Sequence, residues 1–271
     1  MEGSSRAALA AARERLDALT TSAEASERLA ADLTAVAALL VAEGALRRAL
    51  AEPSLPGEQR AAVAARVLQG RIGQQNLDLL SVVVADRWSS AADLVDGVGE
   101  LAAEATLARA DAEGQLDQVE DDLFRFARTL DRSPELALAL SDTALPMERK
   151  RAVLERLLGD RLGAAGMTLV MQALTVTGGR ALDRRLDALT RLAAARRQRL
   201  VAVVRVARPM DPEQQERLRA ALSRAYAREV QLQVDLDPEV LGGVQVVIGE
   251  ELLDGTVARR LGEVRRRVRG R

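Results

Sequence analysis

Neither cysteine nor histidine occurs among the 271 residues. Without cysteine there is no disulfide, no thiol nucleophile and no thiolate metal site, which fits a reducing compartment. Without histidine the usual general base, the commonest metal ligand and every Ser-His-Asp arrangement are gone. Lysine and tyrosine occur once each, at Lys150 and Tyr226. The other aromatics are Trp88, Phe124 and Phe126. Ligand pockets and single-stranded nucleic-acid platforms both rely on aromatic rings, so both are disfavoured. Long apolar runs are missing too. The most apolar stretch, 33–42, is about half of the roughly 20 residues needed to span a bilayer. The N-terminus lacks the continuous apolar core of a signal peptide. The expectation is a soluble chain that reaches a membrane only through a partner.

What is present is alanine, leucine, arginine and glutamate, all good helix formers. The net charge of −1 is unevenly spread: residues 1–120 hold 11 arginines against 19 acidic residues, a net of −8, and the remainder carries +7. The two halves are expected to face different surroundings.

The sequence repeats itself at an offset of about 90 residues. LRRALAEPSLPGEQRAAVAARVL (Leu46 to Leu68) lies without a gap over LALALSDTALPMERKRAVLERLL (Leu136 to Leu158). Leu33, Leu40, Leu50, Pro56 and Leu79 match Leu123, Leu130, Leu140, Pro146 and Leu169. Each copy reads as a helical bundle by its apolar spacing. In the first copy a helix around Leu9, Leu16 and Leu19 is followed by one ending at a glycine cap, Gly44. Pro53 and Pro56 break the chain, and three more helices follow. QNLDLLSVVVAD has the valine content of a strand, but its helical neighbours favour a buried helix.

Near Leu200 the period changes. RLVAVVRVARPM alternates as a strand, with Ala202, Val204 and Val206 on one face. Asp211 and Pro212 open a helix carrying Leu218 and Leu222. VQLQVDLDPE is a second strand. Val244, Val246 and Ile248 mark a third, with a hairpin break at Gly249, and Val257, Leu261, Val264 and Val268 form the stripe of a final helix. The fold class is mainly α: two tandem helical bundles (1–112 and 113–197) followed by a small α+β domain, β-α-β-β-α (198–271).

Candidate chemistry is thin. Gly242 and Gly243 precede a strand rather than a helix, which is the wrong order for a phosphate cradle, and no G-K-S or G-K-T follows. A backbone bend accounts for them. Glu250, Glu251 and Asp254 match no metal loop; Asp254–Gly255 reads as a turn before a helix. The tail RRRVRGR suits nucleic acid or anionic lipid, but cations at a helix C-terminus are favourable by themselves. Lys150, among Glu148, Arg149 and Arg151, is expected on an exposed face. No catalytic, metal or cofactor site is expected.

Three segments together carry a resemblance: D-P-E-Q-x-x-x-L from Asp211, V-D-L-D-P-x-x-L-G-G-V-x-V-x-I-G from Val234, and D-G-T-V-x-x-x-L from Asp254. In this order, behind a helical bundle, they resemble the δ subunit of F-type ATP synthases, whose mitochondrial relative is the oligomycin-sensitivity-conferring protein. QNLDLLSVVVADRW is similar to that family's fifth helix. Most members have one bundle, so the second copy is a departure. Extended forms fused to a b-type stalk segment exist, and the lack of an apolar anchor here argues against such a fusion. The resemblance implies a non-catalytic peripheral-stalk subunit, with no cofactor, on the cytoplasmic face of the plasma membrane. It would connect the α/β head to the b stalk so that the stator resists rotor torque. Implied partners are N-terminal helices of the α subunit, held in bundle grooves, and the b subunit, held by the C-terminal domain; no nucleic acid is expected. The groove is assigned to Leu79 and Val83 in the first copy and Leu169, Val170, Ala173 and Leu174 in the second. The b contact falls to Val257, Leu261, Val264 and Val268. Gly242, Gly243, Gly249, Asp254 and Gly255 become a structural joint. The second bundle, next to the C-terminal domain, is expected on the head. The competing reading is a helical adaptor that binds nucleic acid or another membrane-associated complex through its basic half.

A bend at the glycine pair opposes a β-branched side chain. Gly242→Val is expected to destabilise the C-terminal domain by about 1–3 kcal/mol where the glycine has positive φ. Thermal denaturation reads this directly, and unchanged melting would reject the joint.

Overall fold

The computed structural model describes residues 3–142, 144–159, 161–177, 182–198, 200–226, 229–237, 240, 243–248 and 251–254. Residues 1–194 form one compact unit and 195–271 another. The first unit holds α1 (Gly3–Leu19), α2 (Ala23–Ala42), α3 (Gly44–Ala51), α4 (Gly57–Leu68), α5 (Gln74–Ala85), α6 (Ala91–Ala112), α7 (Leu116–Arg132), α8 (Pro134–Ser141), α9 (Met147–Leu158), α10 (Ala164–Thr177) and all but the last turn of α11 (Leu182–Gln198). Ser22 and Ser90 cap α2 and α6 with their hydroxyls, satisfying amides that open a helix without partners. Gly44 begins α3 instead of capping α2. The left-handed glycines among the described residues are Gly70, Gly114 and Gly243. The run QNLDLLSVVVAD is the buried helix α5, with Leu77, Leu79, Leu80, Val83 and Val84 inside.

The repeat is carried by the element starts. Helices α3, α4 and α5 begin at Gly44, Gly57 and Gln74; α8, α9 and α10 begin at Pro134, Met147 and Ala164, each 90 residues later. The same shift places α1 at 93–109, within α6. The last helix of the first copy is therefore also the first helix of the second. Its side chains divide accordingly. Leu94, Val95, Val98, Leu101, Ala102 and Ala105 join the first core, and Ala103, Leu107 and Ala110 join the second. Fourteen of its 22 residues are buried. The sequence division at 112/113 falls at the C-terminal end of this helix.

Two glycines let neighbours approach α6 from both sides. A Cβ at Gly97 would overlap the Trp88 ring, and one at Gly99 would overlap a Val176 methyl of α10. Positions two apart on a helix point about 200° from each other. A buried polar bridge crosses the same seam. Gln172 Nε2 donates to Thr34 Oγ1 of α2 and to Thr106 Oγ1 of α6, both at 2.9 Å.

The second unit contains β1 (Leu200–Val206), α12 (Pro212–Tyr226), β2 (Val230–Leu236), β3 (Val244–Ile248) and β4 (Glu251–Asp254). The sheet order is β2-β1-β3-β4, with β1 parallel to β2 and antiparallel to β3. Strands β3 and β4 pair antiparallel across the expected hairpin. Ala202, Val204 and Val206 are the buried face of β1 and meet Leu222, Val230, Val246 and Ile248. Asp211 Oδ1 accepts the Gln214 amide at 2.7 Å, and Gln214 Oε1 accepts the Asp211 amide at 3.1 Å, a reciprocal cap. The final helix expected from Val257 onward lies outside the described residues.

Gly97→Ala sets about 1 kcal/mol of improved helix propensity against about 1–3 kcal/mol of overpacking. The indole is rigid and its Nε1 is tied to the Val83 carbonyl at 2.7 Å, so overpacking wins. Urea denaturation is expected to show net destabilisation. Gly99→Ala, which meets a Val176 methyl and the end of the flexible Arg185 side chain, is expected to lose less.

Candidate partner-binding surfaces

The described residues contain no cluster of metal-ligating side chains. Instead, charged groups close helix ends inside each bundle, at equivalent positions of the repeat. Asp32 Oδ2 accepts from the Gly73 amide at 3.0 Å and the Asn76 side chain at 2.6 Å, just before α5. Asp122, 90 residues on, accepts from the Gly163 amide at 2.7 Å, just before α10. A carboxylate there satisfies an open amide and faces the positive end of the helix dipole. Arg60 is buried at 3% exposure. It donates to the carbonyls of Glu52, Leu55, Val84, Ala85 and Asp86, which cluster at the ends of α3 and α5.

Lys150 occupies the position equivalent to Arg60 and corrects the sequence expectation. It is 1% exposed, not on an open face, and its Nζ donates to the Leu140 carbonyl at 2.7 Å. Burial lowers its pKa, opposed by Asp142. Sequence reasoning placed it by its charged neighbours. The missed signal was positional: a cation sits at 60 and at 150, and an aspartate at 32 and at 122, in a gapless alignment. Charges shared by both copies at one register mark internal ties.

The groove assignment meets a similar constraint. Leu79, Val83, Leu169, Val170, Ala173 and Leu174 are all 3% exposed or less. They build the two cores from within and line no open surface. On α10 only Ala164 and Thr168 are exposed, because α2, α6 and α7 pack around it. Within the helical unit, the described large apolar side chains that are more than half exposed all lie on the second bundle: Phe124 on α7, Leu138 on α8 and Leu157 on α9.

Helices α1 and α6 are joined by ions. Arg13 pairs with Glu100 and, through Nε at 2.6 Å, with Glu104. Burial raises the Glu104 carboxyl above the usual carboxylate range, and Arg13 only partly offsets it.

In the C-terminal unit Gly243 has φ +95°, a conformation that disfavours a side chain. It lines an open cleft of about 820 Å³ with Val206, Pro209, Met210 and Val244. Asp254 ends β4. Gly242, Gly249, Gly255, Val257, Leu261, Val264, Val268 and the arginine tail lie outside the described residues.

Residues 98–268 match the family model described as ATP synthase delta (OSCP) subunit. The match begins inside α6, where the structure begins the second copy. The chain is 49% identical to the ATP synthase subunit delta of Parafrankia sp. (strain EAN1pec), over 98% of this chain and 99% of that one. It is 47% identical to the same subunit of Streptomyces griseus, over the full length of both. A chain of the Toxoplasma gondii mitochondrial ATP synthase hexamer, solved by cryo-EM, aligns at 23% identity with a TM-score of 0.28, covering 61% of this chain and 94% of that one.

The Glu104 shift fixes the sign of a pH effect. Its folded pKa is raised, so its contribution to stability is fully present below the unfolded value near 4.5 and is lost as pH rises through the folded value. In Glu104→Gln this loss on going from about pH 4.5 toward neutrality is expected to disappear. Urea midpoints for both proteins across that range test it; parallel profiles would remove Glu104 as the source.

Proposed function

This chain belongs to the ATP synthase delta (OSCP) subunit family, and we propose that it acts there as a non-catalytic connector of the peripheral stalk. In this reading the helical unit meets N-terminal helices of the α subunit on the catalytic head. The C-terminal unit meets the b stalk, so that the stator resists rotor torque during proton-driven ATP synthesis. The chain works at the cytoplasmic face of the membrane as a peripheral subunit. The functional division follows 1–112, 113–197 and 198–271, with the second bundle on the head.

The observation that carries the proposal is α6. A helix buried by two cores joins both bundles without a flexible linker between them. A connector under load needs that continuity more than it needs a pocket. Two further features support it. The chain has no histidine or cysteine. Within the described helical unit, the large apolar side chains that are more than half exposed gather on α7, α8 and α9, as helix-in-groove contacts require. Leu169, Val170, Ala173 and Leu174 then act by holding α10 under that surface, and Leu79 and Val83 do the same for α5. Val257, Leu261, Val264 and Val268 remain the proposed b contact, with Gly242–Gly243, Gly249 and Asp254–Gly255 shaping the joint before it.

Residues 1–197, which retain the compact helical unit, are expected to keep binding a peptide of the α subunit N-terminus and to lose b binding. Pull-down and titration against the full chain measure both. Normal b binding by the truncated chain would move the b site out of the C-terminal unit. Loss of both partners in the full chain would reject the connector reading.

A further inference from the structure

The second bundle carries a cleft of about 430 Å³ between α7 and the end of α9, a volume in the range of small-molecule sites. Phe126, Leu158 and Leu162 form its floor. Each is 8% exposed or less, so the floor itself offers little apolar area. The apolar surface on offer is the ring of Phe124, 58% exposed at the edge. Arg125, Arg128, Arg132 and Arg161 stand around it, and no acidic side chain is among the described residues that line the cleft. Arg125 pairs with Asp121; Arg128, Arg132 and Arg161 have no ionic partner among the described residues.

The repeat shows that the fold does not need this rim. The positions of Phe124, Arg125, Arg128 and Arg132 are held in the first bundle by Thr34, Ala35, Ala38 and Ala42. The three alanines are exposed there, and the floor is kept as Val36, Leu68 and Ile72. Of the four arginines, only Arg161 has a cationic counterpart, Arg71. Arg132 lies in the last turn of α7, where it also answers the helix dipole. Arg128 is a turn too early for that. Phe124, Arg128 and Arg132 recur every four residues, so they share one side of α7 and rise by about 6 Å per step.

This pattern selects a class of ligand. An exposed ring suits a flat ring, and several unpaired cations suit several negative charges close together. A fatty acid brings one charge and a chain that finds little floor to cover. We propose that the cleft binds a nucleoside polyphosphate. The base stacks on Phe124, and the phosphates lie along Arg128, Arg132 and Arg161, whose guanidinium forks match pairs of phosphate oxygens. The Arg128 guanidinium lies 5.4 Å from the Phe124 ring centroid, an exposed cation–π contact weak enough to be exchanged for a phosphate. Leu138 and Leu157 stay outside the cleft. Binding by the isolated chain does not rest on the connector reading.

The test is isothermal titration of the purified full chain with ATP, inorganic tripolyphosphate and adenosine. ATP is expected to saturate one site. Tripolyphosphate, which lacks the ring, is expected to bind at least fivefold more weakly, and adenosine, which lacks the charge, to show no measurable binding. Phe124→Ala is expected to bring ATP down to the level of tripolyphosphate and to leave tripolyphosphate itself unchanged. Arg128→Ala with Arg161→Ala is expected to weaken ATP at least tenfold. Arg28→Ala with Arg66→Ala removes the same charge from exposed positions of the first bundle and is expected to leave ATP binding within twofold. All five side chains are exposed, so none of these changes opens a core. No saturable ATP binding, tripolyphosphate or adenosine binding as tightly as ATP, ATP binding that survives Arg128→Ala with Arg161→Ala, or equal losses from the two arginine pairs overturns the proposal.

Discussion

The rest of the helical unit depends on α6 being wanted by two cores at once. A surface helix buries one stripe and leaves the opposite face wet. Here Leu94, Val98 and Leu101 enter the first core while Leu107 and Ala110 enter the second. Gly97 admits the Trp88 ring, and Gly99, on the other side, admits Val176 of α10. Such a helix cannot slide or tilt for one bundle without disturbing the other. Packed interiors are dense enough that shifts of a methyl group are felt. Two modest bundles thereby behave as one compact body.

Polar groups fix the register of that body. Apolar contacts are numerous but forgiving; a charge without partners in the same interior is not. Leaving a buried carbonyl unsatisfied costs about 1–3 kcal/mol, and Arg60 alone serves five. Asp32 and Asp122 perform the complementary task at helix N-termini. Gln172, reaching Thr34 and Thr106, ties α10 to helices on both sides of the seam. The charged ties fix the helices within each bundle, and the Gln172 bridge adds a register between the two.

The division of surface follows from the same arrangement. The first bundle meets its successor through Thr34 and Gln172, and its exposed large apolar side chain among the described residues is Val41 on α2. The second bundle has no successor and keeps Phe124, Leu138 and Leu157 outside. Duplication thus created two unequal faces from one plan. The proposed functions draw on that inequality: continuity from the shared helix, contact from the open end.

The sequence by itself determined much of this. Apolar periodicity and the 90-residue repeat located the helices around Leu33 and Leu123. The alternation at Val201–Val206 and Val230–Leu236 located the strands, and Asp211 the cap, because these patterns act within a few residues. The glycine segment and D-G turn carried the family. What only the tertiary structure decided concerns partners distant in the chain. The short helix α3, the burial of Lys150, and the enclosure of Leu169 and Leu174 are set by neighbours tens of residues away. So is the double use of α6. A leucine in a helical stripe has the same local pattern whether it faces a core or a groove. A lysine among charges looks exposed until the carbonyl of Leu140 arrives beside it. Spacing along one helix defines a face, and only the packing of the other helices decides whether that face stays open.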